Sequence, residues 1–169
     1  MAVHIIAFLF IALKGINGDH KTAYIEYYSP IAVAEMNRTG IPASIKLAQG
    51  MHESGAGTSK LSTSSNNHFG IKCKTHWLGE TYFHKDDDYD KSGTLVESCF
   101  RAYKSPVDSY IDHSNFIINS IHYSRLIEIC GKDYKQWAYG LQNMGYATDP
   151  KYADKLIKII ESHQLYRFD

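Results

Sequence analysis

Apolar residues recur at helical spacing along much of the chain, and this pattern predicts helices. In residues 41–54, an inward-facing stripe is formed by Ile45, Leu47, Ala48 and Met51. Pro42 stands near the first turn of this segment, where its missing N–H does no harm, and Gly55 and Gly57 follow the last turn. The sequence therefore predicts one helix that ends near residue 54.

Two later helices have recognisable starts. Ser105 can cap a helix with its hydroxyl, and Pro106 behind it suits the first helical position. Asp149 and Pro150 repeat this arrangement ahead of residues 151–166, where apolar residues again fall on one face. We therefore expect Ser105 and Asp149 each to be the N-cap of a helix.

The middle of the chain has a different pattern. Residues 81–83 and 94–100 are short runs of β-forming residues, and a polar turn containing Ser92 and Gly93 separates them. This pattern predicts a small β-hairpin between two helical regions. With 169 residues, the chain is long enough for one domain with a substantial core. The expected fold class is α+β, a mainly helical domain with a small hairpin lobe.

The first residues of the chain have the pattern of an export signal. Residues 3–13 are apolar apart from His4, and this run is too short to span a bilayer comfortably. We expect residues 1–18 to be a signal peptide cut after Gly18 and residues 19–169 to be the mature domain; a buried N-terminal helix is the alternative. The expected location is secreted or periplasmic and associated with the cell envelope, without stable membrane insertion after processing.

Charge and aromatic content narrow the class of partner. The chain has 18 Lys and Arg residues and 18 Asp and Glu residues, so its formal net charge is zero. A nucleic-acid-binding protein normally shows a basic stripe, so no nucleic-acid partner is expected. The 13 tyrosines suit core edges and sugar-binding clefts, because each combines an apolar ring with a hydrogen-bonding tip. We expect a monomer.

The three cysteines are compatible with either a disulfide or a metal site. If the protein is exported, one disulfide and one free thiol are expected, and Cys73 and Cys99 are the better pair because they flank the predicted β segment. Cys130 ends an apolar run and is expected to be buried. Cys73 and His76 have ligand-like spacing, but zinc sites usually have a second tight pair, and none is evident in the sequence. We therefore expect no metal and no cofactor.

Glu53 stands where the first of these helices is predicted to end. The negative end of the helix dipole disfavours an ionised carboxylate, and apolar neighbours would act in the same direction. Both effects raise the pKa of a carboxyl group, as a general acid at neutral pH requires. Judged by residue type alone, a glutamate near a helix end is more often a solvated surface charge, and the motif context changes this interpretation.

Three sequence blocks resemble the glucosaminidase family of peptidoglycan hydrolases, glycoside hydrolase family 73. The blocks are LAQGMHESGAGTS (residues 47–59), NNHFGIKC (66–73) and GYATDPKYADKL (145–156), and they occur in the family's order. The likeness extends over about residues 24–169 and includes the flagellar rod-associated hydrolases and several autolysins. The double Asn, the cysteine placement and the run of three Asp residues resemble short secreted members from Bacteroidota.

The resemblance implies a lysozyme-like fold, peptidoglycan glycan strands as the partner, and endo-cleavage of the β-1,4 bond between N-acetylglucosamine and N-acetylmuramic acid. It also implies that Glu53 is the general acid and that Tyr146 lies beside the sugar at the cleaved bond. Tyr152 is expected nearby, on the substrate side or as a packing residue. The cleft floor and its loop are expected to be formed by Asn67, Phe69 and Gly70.

The second carboxylate is the point at which the chain departs from the family pattern. Where family members often carry a Glu, this chain has Asp86, Asp87 and Asp88. We favour Asp87 as the catalytic residue, with Asp88 next and close to the substrate, and Glu97 is a further candidate. The stereochemical course stays open because it depends on the separation of the two carboxyl groups. Muramidase-type cleavage and a non-catalytic glycan-binding module are the alternative functions.

Overall fold

The computed structural model describes residues 19–75, 77–89 and 91–169, and for residues 86–89 it describes the backbone alone. The predicted signal peptide, residues 1–18, lies outside the described residues. In order, the elements are α1 (His20–Thr39), α2 (Ala43–Ser54), α3 (Lys60–Ser65), β1 (Thr81–Tyr89), β2 (Leu95–Arg101), α4 (Pro106–Ile118), α5 (Arg125–Cys130), α6 (Tyr134–Asn143), α7 (Tyr152–Ser162) and a 3₁₀ helix (Leu165–Phe168). The predicted α+β class is confirmed.

Helix α2 is the centre of the helical body. It packs against α1, α6, α7 and the 3₁₀ helix, and every residue from Ala43 to Met51 is buried. The predicted stripe is therefore correct but too narrow, because α2 is enclosed on all sides. Gly55 ends the helix in the left-handed conformation, with φ of 58°, which glycine adopts at little steric cost.

The start of α2 is capped by a residue distant in sequence. Pro42 occupies the N-cap position and makes no side-chain cap bond. The carboxylate of Asp169 instead accepts hydrogen bonds from the Ser44 backbone N–H (2.8 Å) and the Ser44 hydroxyl (2.6 Å). Because the first N–H groups of a helix have no intrahelical acceptor, this carboxylate satisfies a group that would otherwise be buried without a partner.

The predicted start of α4 is confirmed, whereas the predicted start of the last helix is two residues too early. Ser105 and Asp108 form a reciprocal capping box, with Pro106 in the first helical turn. Helix α7 begins at Tyr152 after a turn, and the Asp149 carboxylate accepts from the Lys151 N–H at 2.9 Å. The Asp149 carboxylate is bonded to the N–H two residues ahead, as in an Asx turn, so this aspartate stabilises the turn before the helix.

The predicted hairpin is confirmed as an antiparallel pair. Its register runs from Thr81 opposite Arg101 to Lys85 opposite Glu97, and it is irregular between Lys85 and Tyr89. Strand β1 extends well beyond the predicted residues 81–83, through the three aspartates. Pairing with β2 determines this length, because strand preference depends more on context than on intrinsic propensity.

The predicted disulfide is also confirmed. Cys73 and Cys99 are bonded, with their Cα atoms 5.5 Å apart, and the Cys73 N–H donates to the Cys99 carbonyl at 2.9 Å. Cys130 is free and buried, as expected. The disulfide fastens the segment before the hairpin to strand β2 at the base of the lobe.

We find that, over the described part of the chain, the helices lack the combination of length and apolar character that crossing a membrane requires.

Candidate active site

A cleft of about 480 Å³ lies between the hairpin lobe and the helical body. One side comes from the helices and their connecting loops, and the other comes from the disulfide-linked segment and strands β1 and β2. Its lining consists of Glu53, Ser59, Leu61, Phe69, Gly70, Ile71, Lys72, Lys74, His84, Phe100, Arg101, Phe116, Tyr123, Tyr146 and Ala147. The mixture of aromatic rings and polar groups is suited to a sugar, which presents both apolar faces and hydroxyls.

Glu53 lies in the last turn of α2, directly before the glycine that ends the helix. Its side chain is exposed, so water reaches the carboxylate in the free protein. The apolar surroundings expected for Glu53 therefore exclude water only in part in the free protein. A bound ligand would have to cover the remaining exposed surface of the carboxylate. The carboxyl group faces the cleft from the helical side.

Tyr152 holds one oxygen of the Glu53 carboxylate. Its hydroxyl donates to Glu53 Oε1 at 3.1 Å and accepts from Gln49 Nε2 at 3.0 Å. The Tyr152 side chain is 1% exposed, and it does not line the cleft. Burial, together with the neighbouring Tyr146 and Glu53, raises the pKa of Tyr152, so its hydroxyl stays a donor. Of the two positions expected for Tyr152, the structure places it in the buried packing behind Glu53.

Tyr146 lines the cleft beside these residues. Its ring lies nearly parallel to that of Tyr152, with centroids 5.6 Å apart, and makes an edge contact with Tyr123. Its hydroxyl oxygen is 2.9 Å from His113 Nε2. Burial and the nearby Glu53 carboxylate raise the pKa of Tyr146 well above its usual value. The phenol therefore remains protonated and can donate a hydrogen bond at neutral pH.

The loop that forms the cleft floor is fastened by Asn67. Its side-chain amide donates to the carbonyls of Ile71 (3.0 Å) and Arg101 (2.9 Å), and its oxygen accepts from the Phe69 and Ile71 N–H groups. Asn67 is 1% exposed and does not line the cleft. Its side chain instead contacts backbone groups inside the protein. The structure thus places Asn67 in the loop of the cleft floor, as expected, with its polar groups bonded inside the protein.

Phe69 and Gly70 do line the cleft, as expected from the sequence. Gly70 has a φ of 64°, a conformation that favours glycine, and no atom would contact a Cβ at this position. The absence of a side chain therefore keeps the cleft floor open at this point.

The candidates for the second carboxylate lie on the hairpin. Asp86, Asp87 and Asp88 belong to β1, and their side chains lie outside the described part of the structure. The roles expected for Asp87 and Asp88 stay predictions. Glu97 is opposite Lys85 in the strand register and is not among the residues that line the cleft. Arg101, which lines the cleft, pairs with Asp112 at 2.8 Å.

The spacing of Cys73 and His76 made a metal site the alternative to a disulfide. The Cys73–Cys99 disulfide removes both cysteines as thiolate ligands, and His76 lies outside the described residues. Among the side chains that the structure does describe, no three His, Cys, Asp or Glu residues form a group that could hold a metal ion.

Sequence reasoning missed Lys46 and His113. Both are 0% exposed, and Lys46 Nζ lies 2.8 Å from His113 Nδ1 and 2.8 Å from the carbonyl oxygen of Tyr110. The His113 ring stacks on Phe69 at a centroid distance of 4.0 Å and an interplanar angle of 7°. The available signal was a lysine within the apolar run of α2, but lysine usually extends its amine to solvent, so this signal is weak.

Comparison with known proteins identifies the relatives of this chain. The family model described as "Glucosaminidase: Mannosyl-glycoprotein endo-beta-N-acetylglucosaminidase" matches residues 29–165. The chain is 28% identical to the peptidoglycan hydrolase FlgJ of Vibrio cholerae over 163 residues, covering 92% of this chain and 48% of FlgJ. It is 31% identical to the exo-glucosaminidase LytG of Bacillus subtilis over 157 residues, covering 89% of this chain and 54% of LytG. The chain thus spans about half the length of these curated relatives.

A solved structure shares the whole architecture. The catalytic domain of the autolysin Auto from Listeria monocytogenes superposes with a TM-score of 0.81 at 28% identity, covering 94% of this chain and 92% of that domain. The similarity therefore includes the hairpin lobe as well as the helical body.

Proposed function

Because the chain belongs to the glucosaminidase family, we propose that it hydrolyses peptidoglycan glycan strands at the β-1,4 bond between N-acetylglucosamine and N-acetylmuramic acid. The observation that carries this proposal is a cleft lined by both Glu53 and Tyr146, each of which contacts the buried Tyr152. The names of the relatives, a peptidoglycan hydrolase and a glucosaminidase, support the substrate and the bond.

Glu53 acts as the general acid in this proposal. Its carboxyl proton passes to the glycosidic oxygen as the bond from that oxygen to the sugar's anomeric carbon breaks, and a water molecule completes the sugar product. Tyr152 donates to Oε1, so the acid form carries its proton on Oε2. A fixed position for this proton favours transfer, because efficiency depends on the alignment of donor and acceptor.

Tyr146 supports the sugar at the cleaved bond. Its phenol is held by His113 and packed against Tyr152, so the position of its hydroxyl is set before substrate enters. A preorganised donor in a partly dry site stabilises developing charge more effectively than water does. The acetamido oxygen of N-acetylglucosamine is the acceptor that we assign to it.

Asp87 on β1 is proposed as the second carboxylate, with Asp88 beside the substrate. A separation of about 5 Å from Glu53 would give retention, and about 6.5–9.5 Å would leave room for an attacking water and inversion. The acetamido group of the substrate is a third candidate nucleophile.

The proposed place of action is the cell envelope. Cell-wall hydrolase relatives act outside the cytoplasm, and the Cys73–Cys99 disulfide is typical of an oxidising compartment. Residues 1–18 are proposed to be the export signal.

The bond that is cut can be determined from the products. We expect peptidoglycan digests reduced with borohydride to carry N-acetylglucosaminitol at the new ends, because a fixed Tyr146 accommodates a sugar with only an acetamido group and a lactyl ether would crowd it. Mass spectrometry of the muropeptides measures this, with the Glu53→Gln variant as the blank. New ends that carry N-acetylmuramitol alone would show the muramidase cut instead. Release of single sugars would indicate exo-cleavage.

Tyr152→Phe is expected to lower kcat about tenfold, because it removes one hydrogen bond to a charged group and keeps the buried ring. Turnover of purified peptidoglycan measures the effect. Tyr139→Phe is the matched control, since that hydroxyl donates to Asp154 on the surface, outside the cleft. Equal kcat values for Tyr152→Phe and the wild-type protein would show that Tyr152 does not position the acid.

A further inference from the structure

A buried line of polar groups leads from the centre of α2 to the cleft. Lys46 Nζ is 2.8 Å from His113 Nδ1, and His113 Nε2 is 2.9 Å from the hydroxyl oxygen of Tyr146. Lys46 and His113 are fully buried, whereas Tyr146 lines the cleft. The line therefore connects an enclosed amine to a group that faces the substrate.

The hydrogen bonds along this line can have either of two donor–acceptor orientations. Burial, followed by the effect of Lys46, lowers the pKa of His113 well below its usual value, so the ring is neutral and one nitrogen carries a hydrogen. If Lys46 donates to Nδ1, the hydrogen is on Nε2 and is donated to the Tyr146 oxygen. If the ring donates to Lys46, Nε2 accepts the Tyr146 hydrogen and the phenol has none left for the cleft.

The surroundings of Lys46 favour donation by its amine. The carbonyl oxygen of Tyr110 lies at 2.8 Å and can only accept, and the amine lies over the Phe69 ring at 4.7 Å from its centroid. Even a neutral amine has two hydrogens, one for this carbonyl and one for Nδ1. A protonated Lys46 has no lone pair and must donate to Nδ1, whereas a neutral Lys46 can donate but can also accept from Nδ1–H.

Charged groups on neighbouring helices act on Lys46 in opposite directions. Burial is the largest effect and lowers the pKa of the amine; Arg38 on α1 acts in the same direction. Glu35 on α1 and Asp112 on α4 raise it. Glu35 is held by a bidentate pair with Arg38, at 2.9 and 2.6 Å, so its charge is largely shared with that residue.

We propose that Lys46 is a positioning residue that, through His113, directs the Tyr146 hydroxyl hydrogen into the cleft. The assignment of the acetamido oxygen as its acceptor rests on the proposed function. In this arrangement Nε2–H of His113 donates to the Tyr146 oxygen, and the phenol donates to the substrate. Lys46 thus sets the direction of the hydrogen bond between Tyr146 and the sugar, although His113 and Tyr146 lie between Lys46 and the sugar.

The tautomer of His113 tests the proposal in the unmodified protein. Long-range ¹H–¹⁵N correlation spectra of the ring distinguish a protonated nitrogen from an unprotonated one. We expect hydrogen on Nε2 and none on Nδ1 at neutral pH. Hydrogen on Nδ1 would overturn the proposal. This measurement needs no activity, so it stands even if the wild-type protein cleaves no glycan, an outcome that would remove the proposed function alone.

Lys46→Met tests whether the amine sets this direction. Methionine fills a similar volume without a donor, and it leaves the Tyr110 carbonyl and His113 Nδ1 without this partner at a cost of about 1–3 kcal/mol, so thermal melting is measured to confirm folding. We expect His113 to lose its single Nε2–H form and kcat to fall about tenfold. Leu47→Met, a buried change on the same helix, is the control and is expected to alter neither. A tautomer unchanged in Lys46→Met, or a changed tautomer with wild-type kcat, would contradict the proposal.

A double variant separates positioning from general packing. If Lys46 acts through the Tyr146 hydroxyl, Lys46→Met should have no further effect on kcat in a Tyr146→Phe background, because coupled groups are not additive. An additional tenfold loss in the double variant would show that Lys46 acts by another route.

Discussion

Glu53→Gln is expected to lower kcat by a factor of about 100 or more, since general acid catalysis contributes about 10²–10⁴. Glutamine keeps the shape and can still accept from the Tyr152 hydroxyl, but it has no proton to transfer to a leaving oxygen. Turnover of purified peptidoglycan and thermal melting together measure activity and folding.

The control for this variant is Glu128→Gln, an exposed change on α5 that does not line the cleft. It is expected to retain wild-type turnover. Wild-type turnover in folded Glu53→Gln would end the assignment of the general acid. An enzyme is indicated if Glu53→Gln loses turnover but still binds insoluble peptidoglycan. A glycan-binding module would show binding without turnover in the wild-type protein as well.

Tyr146→Phe is expected to lower kcat by about 10²–10³, the usual cost of removing one preorganised donor from a site of developing charge. The phenylalanine ring preserves the contacts with Tyr152 and Tyr123, so the effect belongs to the hydroxyl. Steady-state turnover measures it, with product analysis to show whether the cut bond is unchanged.

Tyr134→Phe removes a hydroxyl that donates to Glu161 at 3.3 Å outside the cleft and is the matched control. If Tyr146→Phe retained both the wild-type kcat and the wild-type KM, the phenol would serve only in packing, and the positioning role of Lys46 would lose its target. A rise in KM without a change in kcat would place the hydroxyl in ground-state binding.

Local chemistry was sufficient for some parts of the fold. Ser105 and Pro106 encode the start of α4 because a cap uses only neighbouring residues. The same reasoning placed the N-cap of α7 at Asp149, two residues before the observed N-cap Lys151, because the turn geometry around Pro150 was not visible in the pattern. The length of β1 depended on its partner strand, which local preference cannot supply.

The candidate site also contains residues that the sequence predicts and residues that it does not. Glu53 and Tyr146 were found from motif blocks, since each lies in a distinctive stretch of sequence. The supporting residues depend on contacts across the chain: Tyr152 reaches Glu53 over a separation of 99 positions, and His113 reaches Lys46 over 67. Such contacts arise from packing between helices and leave no periodic signal.

The enclosure of α2 has a consequence for how this protein can diverge over time. Three polar side chains on the helix each satisfy a different part of the fold: Ser44 meets Asp169, Lys46 meets His113, and Gln49 meets Tyr152. Loss of one partner leaves the other buried without a hydrogen bond, at a cost of about 1–3 kcal/mol. A substitution at one of these positions is therefore expected to persist only when its hydrogen-bond partner is also substituted. Other substitutions should accumulate first on the exposed faces of the surrounding helices.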